Sequence, residues 1–209
     1  IIIVFAVLFA LAALFQIFVL SRLGNAQNLW PLLALIPFGI TANMASLWHA
    51  RLLREQLLCN TGMMVGMTIG MMSGFMLGAI IGATNGMFVG SVAGMLVGMF
   101  FGAWAGKWVG IMGLMEGMMA GLMGGLMGAM VSVMMITDNL LPFMYLLFAS
   151  CGVIIAGLSY MIFRESGPLL DEKLVPSLMQ LLLFGLIALV FVTALAVFGP
   201  KSAIAWGAF

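Results

Sequence analysis

The strongest constraint on this chain is a glycine at every fourth residue from Gly62 to Gly110, without one omission. The phase then slips by one residue, and two further rows follow at Gly113, Gly117, Gly121 and Gly125, and at Gly124 and Gly128. In water each glycine costs a helix about 1 kcal/mol relative to alanine. In lipid, small residues four apart form a groove in which helix backbones pack closely. The repeat therefore predicts tightly packed transmembrane helices.

Composition supports a membrane location. Of 209 residues, 65% are hydrophobic and only 6% are charged, with a mean hydropathy of +1.29, whereas about 25% charged residues is usual in soluble domains. No hydrophilic run is long enough for a soluble catalytic or nucleic-acid-binding module. We expect an integral protein of the bacterial cytoplasmic membrane whose immediate partner is the lipid bilayer.

The glycine-rich region 62–136 is too long for one span. Its 75 residues would make a helix of roughly 110 Å, against roughly 30 Å of hydrocarbon. Polar or charged turns are available at 84–86 and 106–108. The region is therefore predicted to form three spans, at 62–83, 86–105 and 109–136.

Four more apolar segments complete an all-α fold of about seven transmembrane helices with a central glycine-zipper (GxxxG) three-helix core. They are 1–20, whose true start we expect to precede Ile1, 31–48, 140–163 and a segment opening at Pro176. Residues 1–209 form a single transmembrane domain. It divides into two N-terminal spans plus an interfacial amphipathic helix in 1–60, the Gly/Met-rich core in 62–136 and two C-terminal spans in 140–199.

The distribution of basic residues predicts the orientation. With seven spans, one side of the membrane collects five basic residues and the other collects Arg22 and Lys201. The five are Arg51, Arg54, Lys107, Arg164 and Lys173. The positive-inside rule then places the N-terminus in the cytoplasm and the C-terminus outside, provided that the count of spans holds.

Methionine is the second unusual feature, because 18 of the 22 methionines lie between Met63 and Met135. One row directly follows glycines and includes Met63, Met67 and Met71, and another repeats at Met115, Met119, Met123 and Met127. Thioethers are soft ligands suited to Cu(I), and an MxxxM pair presents two sulfurs about one turn apart. The alternative is that flexible methionine side chains pack the irregular surface beside the glycine groove.

The combination of MxxxM with GxxxG resembles the copper-transporter family of trimeric membrane channels, which pair these motifs in their second and third spans. The resemblance covers two short motifs. In this chain they are superimposed in many copies, within about seven spans rather than three. It implies copper as a candidate substrate.

Glu116 is the only acidic residue in the region, and an ionisable residue within a span is a functional candidate. Met112, Met119 and Met123 share its helical face, so sulfur could lie beside one charge-balancing oxygen. These four residues, predicted to point into the bundle, are the first candidate metal site, and Met63, Met67 and Met71 are the second. The alternative for Glu116 is an ion pair with Lys107 or a wet interface.

The function predicted first is a transporter or channel for a soft cation, most simply Cu(I), with methionines lining the passage. The second is a non-catalytic glycine-zipper subunit of a homo-oligomer or a larger membrane complex. No catalytic constellation is present, so an enzyme is not expected. Interhelical hydrogen bonds are predicted for four hydroxyl side chains, Thr68, Ser73, Ser91 and Ser132. His49 is predicted to be solvated at the membrane interface.

Overall fold

A computed structural model describes residues 10, 32, 34–52, 59–166, 187–190, 192–194 and 196. The described residues are helical apart from short turns, and they include five long α-helices. These are α1 (Leu35–Leu52), α2 (Cys59–Asn85), α3 (Met87–Gly106), α4 (Ile111–Met134) and α5 (Leu140–Ser166). The predicted span 1–20, apart from residue 10, and most of the predicted span 176–199 lie outside this range. So do the predicted interfacial residues 53–58 and the charged loop beyond Ser166.

Four described helices are long and apolar enough to cross a membrane. They are Cys59–Asn85, Met87–Val109, Ile111–Thr137 and Leu140–Ile162. Three of them occupy the glycine-rich region, for which three spans are predicted, and the fourth matches the predicted span 140–163. The all-α membrane class is therefore supported in the described part of the chain.

Both predicted turns in the glycine-rich region coincide with helix ends. Gly86 separates α2 from α3 with φ 98° and ψ 168°, and Gly110 precedes α4 with φ 103° and ψ −172°. This backbone region is accessible essentially to glycine alone. A one-residue break at Gly86 and a short 3₁₀ turn at Lys107–Val109 therefore suffice to reverse the chain.

Helices α2, α3 and α4 pack through backbone against backbone. A Cβ atom added at Gly70 would lie 2.5 Å from the Gly117 carbonyl oxygen and 2.9 Å from the Gly102 Cα atom. One residue from each helix meets in this way at five successive levels, which we call the glycine layers. Their members are Gly66, Gly106 and Gly113; Gly70, Gly102 and Gly117; Gly74, Gly98 and Gly121; Gly78, Gly94 and Gly125; and Gly82, Gly90 and Ala129.

The layers define the helix directions. From one layer to the next, the residue numbers rise along α2 and α4 but fall along α3. Helix α3 is therefore antiparallel to both α2 and α4. The tight core that the glycine repeat predicts requires Gly66, Gly70, Gly90, Gly94 and Gly98 to be shielded from lipid. All five are buried in the structure.

Helices α1 and α5 cover the side of α2 that the glycine layers leave free. Near the α2–α3 turn, Ile36 and Phe148 belong to one buried cluster with Met76 and Ile80. A second cluster joins the C-terminal ends of α1, α3 and α5 to the N-terminal half of α2, with Ala50, Val65, Ala105 and Ile162 among its members. Helix α2 is therefore central in the described structure.

In this arrangement the described charged residues at the helix ends are divided between the two ends of the bundle. Arg51, Lys107 and Arg164 lie at or just beyond the C-terminal ends of α1, α3 and α5, which the second cluster brings together. Asp138 lies at the opposite end, between α4 and α5. The three described cations that the sequence predicts on one side of the membrane therefore occupy one end of the structure.

Candidate functional site

The most unusual surface of the described structure is one face of α4. Six methionines and Glu116 lie within about 80° of one another around its axis, at 3.6 residues per turn. We call this set the methionine stripe, and its members are Met112, Glu116, Met119, Met123, Met127, Met130 and Met134. The methionines are between 44% and 68% exposed. From Met112 to Met134 the stripe runs roughly 33 Å along the helix, close to the thickness of the hydrocarbon core.

The stripe points away from the three-helix interior, whereas the sequence predicts that Glu116 and its neighbours point into the bundle. That prediction is wrong for a steric reason. The inner face of α4 carries Gly113, Gly117, Gly121 and Gly125, whose backbones contact α2 and α3 directly. No room is left there for a thioether or a carboxylate, so the larger side chains are displaced to the outside.

Glu116 lies on this outer face and is partly buried. Met112, Met119 and Met123 are its neighbours one to two turns away on the same face, so the structure keeps the first candidate site on one surface. Glu116 and Lys107, both described, form no ion pair. The Lys107 ammonium instead lies 5.7 Å from the centre of the Trp104 ring, a cation–π contact at the end of α3.

The second candidate set lies on a different helix. Met63 and Met71 are partly buried on α2, and Met67 is 42% exposed. The Met71 backbone contacts Gly124 of α4, so the second set lies on the part of α2 that packs along α4.

A cavity of about 330 Å³ in the described structure does not match the predicted methionine-lined passage. It lies between α1, α2, α3 and the described residues Ile187, Ala188 and Val192, and its walls are mainly aliphatic and aromatic, with Ile80, Val97 and Phe101 among them. Among its described lining residues, only Met44 and Met76 contribute sulfur. The Asn43 side-chain nitrogen already donates a hydrogen bond to the Met76 sulfur at 3.3 Å.

Two predictions about polar residues are also corrected. His49 is 1% exposed rather than solvated, because the end of α1 packs into the second buried cluster, and neither ring nitrogen has a hydrogen-bond partner among the described residues. Thr68, Ser73 and Ser132 donate to carbonyl oxygens three or four residues earlier in their own helices, not across helices. Ser91 is buried.

Among the described residues, no three His, Cys, Asp or Glu side chains come together as a metal-binding group. The sequence-based prediction included three methionines of the stripe and omitted Met127, Met130 and Met134 as partners of Glu116. The signal that could have found them is the spacing of the set, which runs 4, 3, 4, 4, 3 and 4 residues. Extending the face of Glu116 along the whole helix would have revealed the stripe.

No protein-family model, curated protein or solved structure matches this chain.

Proposed function

We propose that this chain carries a soft monovalent cation, Cu(I) in the first place, across a membrane along the methionine stripe of α4. One observation carries the proposal. Six methionines and one carboxylate form a continuous line over roughly the thickness of a bilayer, on a face that the glycine layers leave free.

Burial argues against a purely space-filling role for these methionines. Methionine is useful in cores because it fills irregular gaps, but the stripe methionines are at least 44% exposed and fill no gap within the described part of the chain. A lipid-facing surface would be served equally well by leucine, as it is at Leu146 on α5, which is 68% exposed. Sulfur is what distinguishes this face.

The chemistry of the stripe suits a soft ion. Neighbouring stripe residues lie about one turn apart, so an ion held by two thioethers has its next ligand within about 6 Å along the axis. Conduction needs several weak sites rather than one strong site. Glu116, near one end, supplies the negative charge that lowers the cost of bringing a cation into the apolar region. Na⁺ and Ca²⁺ prefer oxygen ligands and are not expected to pass.

In this proposal the three glycine-layered helices are a glycine-zipper scaffold within a protein of seven spans. Direct backbone contact makes α4 a rigid support, since a helix held by main-chain packing has few alternative positions. The outward face can then present ligands at fixed spacing.

The second candidate function is a non-catalytic assembly subunit. The observation favouring it is that the glycine contacts are satisfied within the chain while α4 still exposes a wide apolar face that a neighbouring membrane protein could cover. In that case shape and hydrophobicity matter, and sulfur does not.

Replacement of methionine by leucine separates the two functions, because it keeps bulk and apolarity but removes the ligand. The variant Met119→Leu/Met123→Leu/Met127→Leu should lose at least about tenfold of its Ag⁺ or Cu(I) flux if thioethers carry the ion. Flux is measured in proteoliposomes with an entrapped Cu(I)-chelating dye and a reductant outside. Glu116→Gln, which removes the charge but keeps the shape, should also reduce flux.

The matched control is Met64→Leu/Met87→Leu/Met118→Leu, three exposed methionines outside the stripe, which should keep flux within about twofold because no stripe ligand is lost. Met63→Leu/Met67→Leu/Met71→Leu tests the second candidate set separately. Equal flux in the stripe and control variants, or a high Na⁺ conductance without any Ag⁺ or Cu⁺ movement, would reject transport along the stripe. Normal assembly of the stripe variant together with an absence of soft-cation flux in the unmodified protein would favour the assembly subunit.

A further inference from the structure

The cavity of about 330 Å³ lies beside α1, α2 and α3, and none of its described lining residues belongs to the methionine stripe. Its volume falls within the range of about 300–1,000 Å³ that is usual for ligand sites. Two of its lining residues on α3, Leu96 and Phe100, are 59% and 62% exposed, so the cavity reaches the outer surface of the described structure. Both residues lie near the middle of the candidate span Met87–Val109, which places this opening at the level of the hydrocarbon.

The walls of the cavity offer little to a polar ligand. Its described lining has three polar side chains, and two of them use their donors within the protein. The Ser73 hydroxyl donates to the Gly70 carbonyl oxygen at 3.1 Å, and the Asn43 side-chain nitrogen donates to the Gly39 carbonyl oxygen at 2.8 Å. The Asn43 side-chain oxygen has no hydrogen-bond partner among the described residues, but it is buried in the wall, where a ligand in the cavity does not contact it. Hydrocarbon is therefore the guest that matches these walls.

The third polar side chain, Trp104, belongs to an aromatic group near the cationic end of the bundle. Phe100, Phe101 and Trp104 all line the cavity, and their ring centres lie between 5.6 and 6.5 Å apart. The ammonium group of Lys107, an exposed residue, lies 5.7 Å from the centre of the Trp104 ring. An apolar cavity and a cation are therefore joined by one indole ring.

This end of the cavity is suited to an anion. The Lys107 ammonium has three donors, so it can bind phosphate oxygens while it stays over the Trp104 ring. Arg51 and Arg164 lie at the same end of the bundle and add positive charge. Tryptophan and lysine at the end of a span are typical of the headgroup region of a membrane. A molecule that fills the cavity and also reaches Lys107 needs an apolar chain and an anionic head.

We propose that this cavity holds an acyl chain of an anionic phospholipid whose phosphate binds Lys107. The chain occupies the apolar space beside α1, α2 and α3, and the headgroup lies at the cationic end. A zwitterionic phospholipid has the same chains, but its own cation competes with Lys107 for the phosphate. Preference for the anionic headgroup therefore distinguishes this site from an ordinary lipid-facing surface. The site does not depend on the proposed transport, because no stripe residue takes part in it.

The experiment is quenching of Trp104 fluorescence by phospholipids that carry bromine on their acyl chains. The other four tryptophans are replaced by phenylalanine, as Trp30→Phe, Trp48→Phe, Trp108→Phe and Trp206→Phe. Because bromine quenches an indole only at close range, quenching reports a chain beside Trp104. In liposomes, brominated phosphatidylglycerol should bind with about fivefold higher apparent affinity than phosphatidylcholine with the same chains, the factor expected from one lysine near anionic lipid.

Three variants of this single-tryptophan protein separate the headgroup from the chain. Lys107→Gln removes the cation, and it should reduce the preference for phosphatidylglycerol to less than about twofold. Val97→Phe enlarges a residue of the cavity wall, so it should weaken quenching by both lipids. Val92→Phe is the matched control, because it makes the same change on α3 at a residue that is 37% exposed and outside the described lining, and it should leave quenching unchanged.

Equal affinity for the two lipids before the Lys107→Gln change would overturn the proposal, since the cavity would then be ordinary lipid-facing surface. An absence of quenching by either lipid would also overturn it, because part of the chain outside the described residues would then fill the cavity. So would equal quenching in Val97→Phe and Val92→Phe when both have the circular dichroism of the folded protein.

Native mass spectrometry gives the same decision without the tryptophan replacements. The unmodified protein should retain phosphatidylglycerol about fivefold more than phosphatidylcholine from an equal mixture, and Lys107→Gln should retain the two lipids equally. The same retention ratio in both proteins would reject Lys107 as the headgroup site.

Discussion

At the residue scale, the fold depends on the absence of side chains at the glycine layers. Gly94 is where all three helices meet, since a Cβ atom there would lie 2.8 Å from Gly78 Cα, 2.9 Å from Gly74 O and 3.0 Å from Gly125 Cα. Each neighbour is backbone, which cannot yield as the tip of a flexible side chain can. The missing side chain at Gly94 therefore has two effects. It allows the stabilising dispersion contact between the backbones, and it leaves no space for a substituted side chain.

A matched pair of substitutions tests this dependence. Gly94→Ala should lower the free energy of unfolding by about 2 kcal/mol or more, because a methyl group would force α3 away from α2 and α4. Gly157→Ala on α5 has nothing within 4 Å of the new methyl group, and it should be neutral or stabilising by up to about 1 kcal/mol from helix propensity. Denaturant unfolding in detergent micelles, followed by circular dichroism, compares the two. Equal stability of both variants would contradict close packing at Gly94.

At the scale of the elements, the glycine repeat performs two different tasks. Within the helices it permits backbone contact, whereas at Gly86 and Gly110 it permits a positive φ that reverses the chain. Because glycine serves both roles, residue type alone does not show which glycines pack within helices and which form turns. The polar triplet 84–86 and Lys107 mark the reversals, and both turns were predicted from those neighbours.

At Gly110 only the positive φ requires glycine, because a Cβ atom there would meet nothing within 4 Å. Gly110→Ala should therefore destabilise the protein by about 1–3 kcal/mol through backbone strain alone. The same unfolding assay measures the loss. Since space is available, Gly110→Ala and Gly110→Ser should cost similar amounts, and a strong dependence on side-chain size would argue against a conformational cause.

At the scale of the whole molecule, the described helices place their cations at one end. Arg51, Lys107 and Arg164 share the end formed by the second buried cluster, and Asp138 lies at the other. From the positive-inside rule we expect the cationic end to face the cytoplasm. In the proposed seven-span topology, the end of the stripe nearest Glu116 is then expected on the cytoplasmic side.

Labelling with a membrane-impermeant maleimide in intact cells tests this orientation, in a Cys59→Ser/Cys151→Ala background, which removes both native thiols. Asp138→Cys should be labelled from outside, because it lies at the end without the cations, whereas Lys107→Cys should react only after the cells are opened. Both positions are exposed, so accessibility within the fold is matched. The reverse labelling pattern would invert the orientation and put Glu116 nearer the outer side.

The sequence alone determined the helical class, the three long apolar helices in 62–136, the two turns between them and the burial of the glycines. Local rules suffice for these features, because spacing sets which residues share a helical face and hydropathy sets span length. Only the tertiary structure decided what each face contacts. In a membrane protein the exterior is as apolar as the interior, so hydrophobicity does not indicate which face of α4 is buried. The contacts of Gly117 and Gly121 settle it: backbone packing excludes Met119 and Glu116 from the interior and leaves the methionine stripe outside.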